Sequence, residues 1–338
     1  MLFHFLQKRK TSHSLSAQTW HRLRSNNSAM FGLTIIGISV IISILGYLIA
    51  PDSTPNANKQ FPELNVKKPG FKAKFLLVKK NEESYRVNVF KKLQSGEISD
   101  HRSIPIYDYV FEGNDIIAEG YTGSEPNDGQ KIRYNLADVL YSVDYEKSFN
   151  NSPDRGIIEF YIIGQEKINS IPVTELRNRV EKNCIVEQKF FLGTDRLGRD
   201  LLSRLILGTR VSLMVGLVSV LISFVIGIFI GAVGGFFKGW IDVIIMWLIN
   251  VVWSIPTLLL VIAITLVLGK GLVQVFIAVG LTMWVDVARL VRGQTLSLCQ
   301  QEYIEAGRAL GFTNFRLIFK HLLPNLMGPV VVLCADNF

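Results

Sequence analysis

Four long apolar runs divide the chain into stretches suited to lipid and stretches suited to water. The first is Phe31–Ala50, closed by Pro51; at about 1.5 Å per residue it is long enough to cross roughly 30 Å of hydrocarbon. Val211–Phe237, Ile241–Leu268 and Leu272–Leu290 come in close succession, and each is predicted to be a transmembrane helix. In the second run Gly227, Gly231 and Gly235 recur every four residues, a spacing that lets a neighbouring helix come close. Lys238, Gly239 and Trp240 make the turn to the third run, which Asn250, Ser254 and Pro256 interrupt. Polar groups inside a span either sit at a kink satisfied by neighbours or line a pathway. Asn250, Ser254 and Asp286 are therefore the candidate lining residues, with Asp286 alternatively expected to pair with Arg289 or Arg292.

Between the first two spans the pattern changes to short alternating runs with Asn- and Gly-containing turns. Phe71–Val78, Tyr85–Phe90, Ile104–Phe111 and Gly156–Ile163 are predicted strands, and Val173–Lys182 a helix. This predicts a small β-rich domain outside the membrane, large enough for a modest core. Nothing in it has catalytic spacing; His101 and Asp108 read as a solvated loop pair. The expected organisation is a cytoplasmic tail over residues 1–29, with a short amphipathic helix around Trp20 to Arg24, and a first transmembrane helix over 30–50. An extracytoplasmic insert over 51–190 and a transmembrane domain over 191–338, with a cytoplasmic loop at 291–325, complete it.

Composition supports the same class: 49% of residues are hydrophobic, only 19% are charged, and the apolar ones are concentrated in blocks. The net charge of +8 is placed as the positive-inside bias places it. Lys8, Arg9, Lys10, Arg22 and Arg24 precede the first span, while Arg289, Arg292, Arg308, Arg316 and Lys320 cluster from the end of the fourth onward. The amino terminus is thus expected in the cytoplasm, and the basic surfaces meet anionic lipid rather than nucleic acid. Cys184, Cys299 and Cys334 are far apart, form no metal motif and imply no disulfide framework. There is no phosphate-binding Gly-x-x-x-x-Gly-Lys-Ser/Thr loop, no His-Glu-x-x-His and no Gly-x-Ser-x-Gly. No catalytic residue, metal or bound cofactor is expected.

Two stretches carry more specific information. Glu305–Asn325 reads as two short helices around a sharp turn, with Gly311 at a helix C-terminus suited to positive φ and Thr313 as the next cap. Phe312 and Leu317 are spaced for a hydrophobic staple, Leu317, Ile318, His321 and Leu322 continue one face, and Pro324 is expected to stop the helix. An amphipathic loop on the bilayer surface is one reading; a DNA-binding helix pair is disfavoured by the tethering to apolar spans. The second stretch is Phe191–Ser223, where Asp195/Arg199 and Arg196/Asp200 are spaced for ion pairs on a short helix.

Both stretches resemble one family. Glu305, Ala306 and Gly307, then Gly311, then Leu323 and Pro324 resemble the coupling loop of ABC-importer permeases, with Gly307 in place of the usual second alanine. Gly193, Thr194, Asp195, Gly198, Arg199 and Asp200, then Ser203-Arg204 and Gly208-x-Arg210-x-Ser212-Leu213, resemble the segment before the second span in the dipeptide/oligopeptide/nickel permeases. The likeness is weak over residues 17–50 and strong over 191–338; the insert is larger than the family's usual outer loop.

The resemblance implies an all-α polytopic fold of the type I ABC importer permease, carrying a β-rich extracytoplasmic insert, in the bacterial cytoplasmic membrane. It implies a second permease subunit, two cytoplasmic ATP-binding subunits that hold ATP and Mg, and an extracytoplasmic solute-binding protein, with membrane lipid around the spans. A fifth apolar run from Leu326 reaches only Phe338, too short to span, whereas the family has a fifth and sixth helix there; the expectation is that C-terminal spans are missing. A membrane-anchored sensor with an extracytoplasmic ligand-binding domain is the competing class, supported by the large insert.

Overall fold

The computed structural model describes residues 15–82, 88–123, 125, 128–147 and 156–338. Two compact units, Met1–Arg210 and Val211–Phe338, divide within one long helix. The basic residues Lys8 to Lys10 lie outside the described residues.

In the first unit, helix α1 (Leu15–Ser25) leads to α2 (Asn27–Ile49), which Asn26 caps by accepting from the Ser28 and Ala29 amides at 3.1 and 3.2 Å. Ala50 ends α2 in extended conformation just before Pro51. The rest is a five-stranded antiparallel sheet in the order β4-β3-β2-β1-β7, with a separate β5-β6 hairpin. The strands are β1 (Phe71–Lys79), β2 (His101–Glu112), β3 (Asp115–Gly120), β4 (Lys131–Asn135), β5 (Ile157–Tyr161), β6 (Ile168–Pro172) and β7 (Ile185–Phe190). Helices α3 (Val89–Ser95), α4 (Leu136–Leu140) and α5 (Val173–Asn183) complete the unit.

From Phe75 to Val78 both faces of β1 are covered, which is why that part reads as a continuous apolar run, whereas Lys72 and Lys74 before it are exposed. Leu76 and Val78 join Ile106, Ile116, Phe160, Leu176 and Val180 in the larger core, while Ala73 and Phe75 pack with Phe61, Leu64 and Phe190 on the other face. Of the expected strand Tyr85–Phe90, residues 85–87 lie outside the described residues, and Val89 and Phe90 begin α3 with their side chains exposed. Gly96, at φ 77°, ends that helix. Strands β3, β4, β6 and β7 escape the sequence pattern because each is short and carries charged or polar residues along its length. His101 and Asp108 both lie on β2 rather than in a loop.

The second unit is helical. Helix α6 (Leu201–Phe237) continues across the unit boundary; α7 (Gly239–Trp253) and α8 (Thr257–Leu268) are bent 92° apart at the Pro256 break; α9 (Leu272–Leu298) comes next. The glycine stripe acts as its spacing suggests. A Cβ on Gly227, Gly231 or Gly235 would lie 2.5 Å from Val287 Cβ, 2.4 Å from Ala288 O or 2.6 Å from Thr295 Cβ, so the α6 backbone lies directly against α9 along three turns. Gly280 of α9 reciprocates against Ile222, and the Ser219 hydroxyl donates to Phe276 O at 3.1 Å.

After α9 come α10 (Glu302–Ala309), α11 (Asn314–Arg316), a π-helical stretch Leu317–Leu322 and α12 (Leu323–Asp336). Pro324 does not stop the helix as expected: Asn314–Asp336 runs on for 23 residues. Proline removes an amide donor and strikes the carbonyl four residues back. The wider π turn just before Pro324 relieves both, and the Asn325 side-chain amide donates to His321 O at 2.7 Å. The apolar run from Leu326 is therefore the second half of a helix long enough to cross a membrane. Among the described residues four helices meet that length and polarity, or five if α7 and α8 form one broken span. The three cysteines are free and buried.

Candidate functional site

The Glu305–Asn325 stretch is a helix–turn–helix built around one glycine. Gly307 is buried on α10, and a Cβ there would stand 2.9 Å from Leu317 Cδ2 and 3.2 Å from Phe312 Cδ2. Ile304, Leu317 and Leu322 are fully buried in the same cluster, against which Phe312 and Ile318 pack. Gly311 takes φ 76° in the turn, and the Thr313 hydroxyl accepts from the Arg316 amide at 3.4 Å. Phe312 then stacks on His321, ring centroids 5.7 Å apart, with Arg316 4.0 Å over its other side. These contacts leave Glu305, Ala306 and Arg308 exposed, beside Leu310 and Phe315 at 73% and 70% exposure. Leu323 and Pro324 stand at the start of α12, in the continuing helix. The Glu305 carboxylate carries no hydrogen bond or ion pair among the described residues.

The Gly193–Asp200 stretch is a clip, not the short helix expected. Gly193 and Gly198 take φ 77° and 72°, and Cβ atoms there would fall 2.1 Å from Lys67 O and 1.7 Å from Phe61 O. Only glycine allows that approach. The Thr194 hydroxyl donates to Leu64 O at 2.5 Å and accepts from the Lys67 amide at 2.8 Å; Val66 N donates to Asp195 O and Phe61 N to Leu197 O. Asp195 pairs with Arg199 as expected, but across a turn, accepting also from the Leu197 and Arg199 amides at 2.9 and 3.0 Å and from Arg204 at 3.2 Å. Burial works to raise its pKa, yet the Arg199 amide and guanidinium and the Leu197 amide outweigh it, and the carboxyl sits below its ordinary value. The Arg196/Asp200 pair is not made. Asp200 instead caps α6, accepting from the Ser203 amide at 2.8 Å and from its hydroxyl, while Ser203 Oγ accepts from the Asp52 amide at 2.8 Å. Asp52 and Ser203 leave no local signal because their pairing spans 151 positions.

The pathway candidates are only partly brought together. Ser254 and Asp286 line one cleft of about 430 Å³ at the α7/α8 bend, with Thr257 and Thr282. Asn250 is not on its wall; it accepts from Arg289 Nη2 at 3.5 Å, and Arg289 lies 3.9 Å over the Trp253 ring. The expected pairing of Asp286 with Arg289 or Arg292 is absent. Arg292 makes a two-pronged ion pair with Asp242 of α7, at 2.5 and 2.7 Å, and Asp286 has no charged partner among the described residues. Local spacing favours the near arginines, but a bidentate fork with the facing helix satisfies both groups better.

Residues 205–335 match the family described as binding-protein-dependent transport system inner membrane component, and residues 14–69 match the N-terminal TM domain of oligopeptide transport permease C. The oligopeptide transport system permease protein OppC of Bacillus subtilis is 42% identical over 142 residues, covering 42% of this chain and 47% of that protein. The dipeptide transport system permease protein DppC of the same species is 43% identical over 152 residues, 45% of this chain and 48% of its own. The glutathione transport system permease protein GsiD of Pectobacterium atrosepticum is 42% identical over 142 residues, 42% and 47% of the two chains. The matched stretch spans about half the length of these relatives.

Proposed function

We propose that this chain, whose residues 205–335 belong to the family of binding-protein-dependent transport system inner membrane components, is one permease subunit of an ABC importer that moves peptides across the bacterial cytoplasmic membrane. Peptides are favoured over nickel because these relatives are named for oligopeptide, dipeptide and glutathione transport. The expected partners are a second permease, two cytoplasmic ATP-binding subunits and an extracytoplasmic solute-binding protein, with lipid against the exposed apolar faces. The amino terminus and the Glu305–Asn325 loop face the cytoplasm in this reading, and the β-rich insert faces outward.

One observation carries the proposal: the α10–α11 knob is rigidly packed yet presents an exposed tip, and it is continuous with two membrane-length helices, α9 and the Asn314–Asp336 helix. A push on such a knob is transmitted as helix movement rather than absorbed by loop bending. Glu305 supplies charge at the tip, Ala306 and Gly307 keep the surface low, and Gly311 makes the turn. The α7/α8 cleft with Ser254 and Asp286 is the proposed pathway wall. The chain supplies no ATP chemistry; ATP and Mg act on the partner subunits.

The test is purification of the tagged full-length protein from its native membrane, with mass spectrometry of what remains bound. ATP-binding subunits and a second permease are expected, and both should be reduced when Glu305→Ala and Gly311→Val are combined. Recovery of the intact protein alone would overturn the importer assignment and favour an anchored sensor.

A further inference from the structure

A cleft of about 480 Å³ lies in the β-rich unit, outside the unit that holds Glu305–Asn325. Its walls are the segment Thr54–Glu63 and the start of β2, and the basic residues Lys59, Lys80 and His101 line it, with the exposed Arg102 at its edge. The carboxylates nearby offset them only in part. Asp52 accepts from the Thr54 amide and hydroxyl and from the Lys59 amide, and Asp100 pairs with Lys79 at 3.2 Å. Glu63 is exposed at the rim. Among the described residues Lys59, Lys80 and Arg102 have no ion pair. On the same wall the Ser103 hydroxyl is buried with no hydrogen-bond partner. A fold rarely leaves like charges gathered around an unmet donor unless something else satisfies them.

We propose that this cleft is a binding site for a small organic carboxylate, held by Lys59 and Lys80 with the Ser103 hydroxyl donating to it. Its volume lies within the roughly 300–1,000 Å³ range of small-molecule sites and its apolar walls, Phe61, Pro62, Ile104 and Pro105, suit a short carbon skeleton. The site stands independently of the transport reading. The surroundings of Lys59 and His101 disfavour their charged forms: burial lowers the pKa of both, Asp52 opposes this at Lys59 and Lys80 adds to it, and at His101 Lys79 and Lys59 add to it while Asp100 opposes. An anion in the cleft reverses that imbalance.

The full-length protein in lipid nanodiscs, with labelled histidines and the His101 signal assigned through His101→Gln, is titrated with succinate at constant ionic strength. A saturable upward move of the His101 midpoint, of roughly half a unit or more, is expected. Lys59→Met and Lys80→Met should each weaken the response about tenfold, whereas the exposed Arg102→Gln, on the opposite face of β2 from Ser103, should change it little. Ser103→Ala, which breaks no existing bond, should weaken it severalfold, and Lys131→Met on the distant β4 should leave it unchanged. An equal shift with chloride alone, a response that never saturates, or one that survives in the Lys59→Met/Lys80→Met protein would overturn the site. Binding of a capped Glu-Asp peptide without binding of succinate would overturn the small-solute assignment.

Discussion

Alanine at Gly231 tests the close packing of α6 on α9 most directly. Its Cβ would stand 2.4 Å from Ala288 O and 2.8 Å from Val291 Cβ, where ordinary contact begins at 3.4 Å. The obstacle is a carbonyl fixed in a helix, so it cannot rotate aside, and the two helices must part locally by about 1 Å. A gap of that size forfeits roughly a quarter to a half of the dispersion energy of facing atoms, and overpacking of this kind costs about 1–3 kcal/mol. Alanine recovers at most about 1 kcal/mol through helix propensity. The net expectation is a loss of up to about 2 kcal/mol against the unsubstituted protein, and of about 1–3 kcal/mol against an alanine that gains propensity alone. Gly293 on α9 is the control, because a Cβ there meets nothing within 4 Å and only the propensity gain remains. Reversible unfolding in mixed micelles, monitored by tryptophan fluorescence against rising dodecyl sulfate, gives both midpoints. The reasoning fails if Gly231→Ala unfolds at the same midpoint as Gly293→Ala.

The same geometry sets three further outcomes. Gly311→Val meets no steric clash but must hold φ 76°, which costs a side-chain-bearing residue about 1–2 kcal/mol; the protein should insert normally yet lose the ATP-driven peptide uptake proposed above, and normal uptake counts against the proposed coupling role. Thr194→Val keeps the side chain's shape and strands Leu64 O and the Lys67 amide, so about 1–3 kcal/mol should be lost, read as faster limited proteolysis within residues 52–67. Asp195 has a carboxyl pKa below its unfolded value of 3.8, so it stabilises the fold above that pH and the contribution disappears as pH falls through the lower folded value. Asp195→Asn should therefore make the acid limb of the stability profile shallower, and an unchanged limb refutes the assignment.

How much is legible in the sequence depends on the range of the determining contact. Helix positions and the turn within Glu305–Asn325 depend on residues three or four apart, and Gly311, Thr313 and the glycine stripe of α6 lie where their spacing puts them. Ion pairing misleads wherever a nearer partner looks adequate: Arg292 passes over Asp286 for Asp242, fifty positions away, because the facing helix offers both carboxylate oxygens. The short strands β3, β4, β6 and β7 owe their existence to a neighbour's backbone rather than to their own alternation. Pro324 misleads for a different reason. Proline rules describe a regular α-helix, and the π turn over Leu317–Leu322 removes the condition on which they rest.

The clip at Gly193–Asp200 also accounts for how so large an insert is carried. The two family matches end at residue 69 and resume at 205, and the insert lies between them. Its first and last strands, β1 and β7, are adjacent and antiparallel, with Phe71 opposite Phe190 and the Gly70 amide donating to Phe190 O at 2.9 Å. The insert therefore leaves and returns at one place, the condition under which added domains are tolerated. Immediately after the return, the clip grips Phe61 to Lys67 through backbone hydrogen bonds and seats Ser203 on Asp52. The segment leaving α2 is thus fastened to the start of α6 whatever is threaded between them. Gly46 and Tyr47 of α2 against Leu207 of α6 extend that fastening into the helices themselves. The motif's glycines, threonine and aspartates are explained by this joint alone, since each makes a contact within it, and none needs to touch a transported solute to be required.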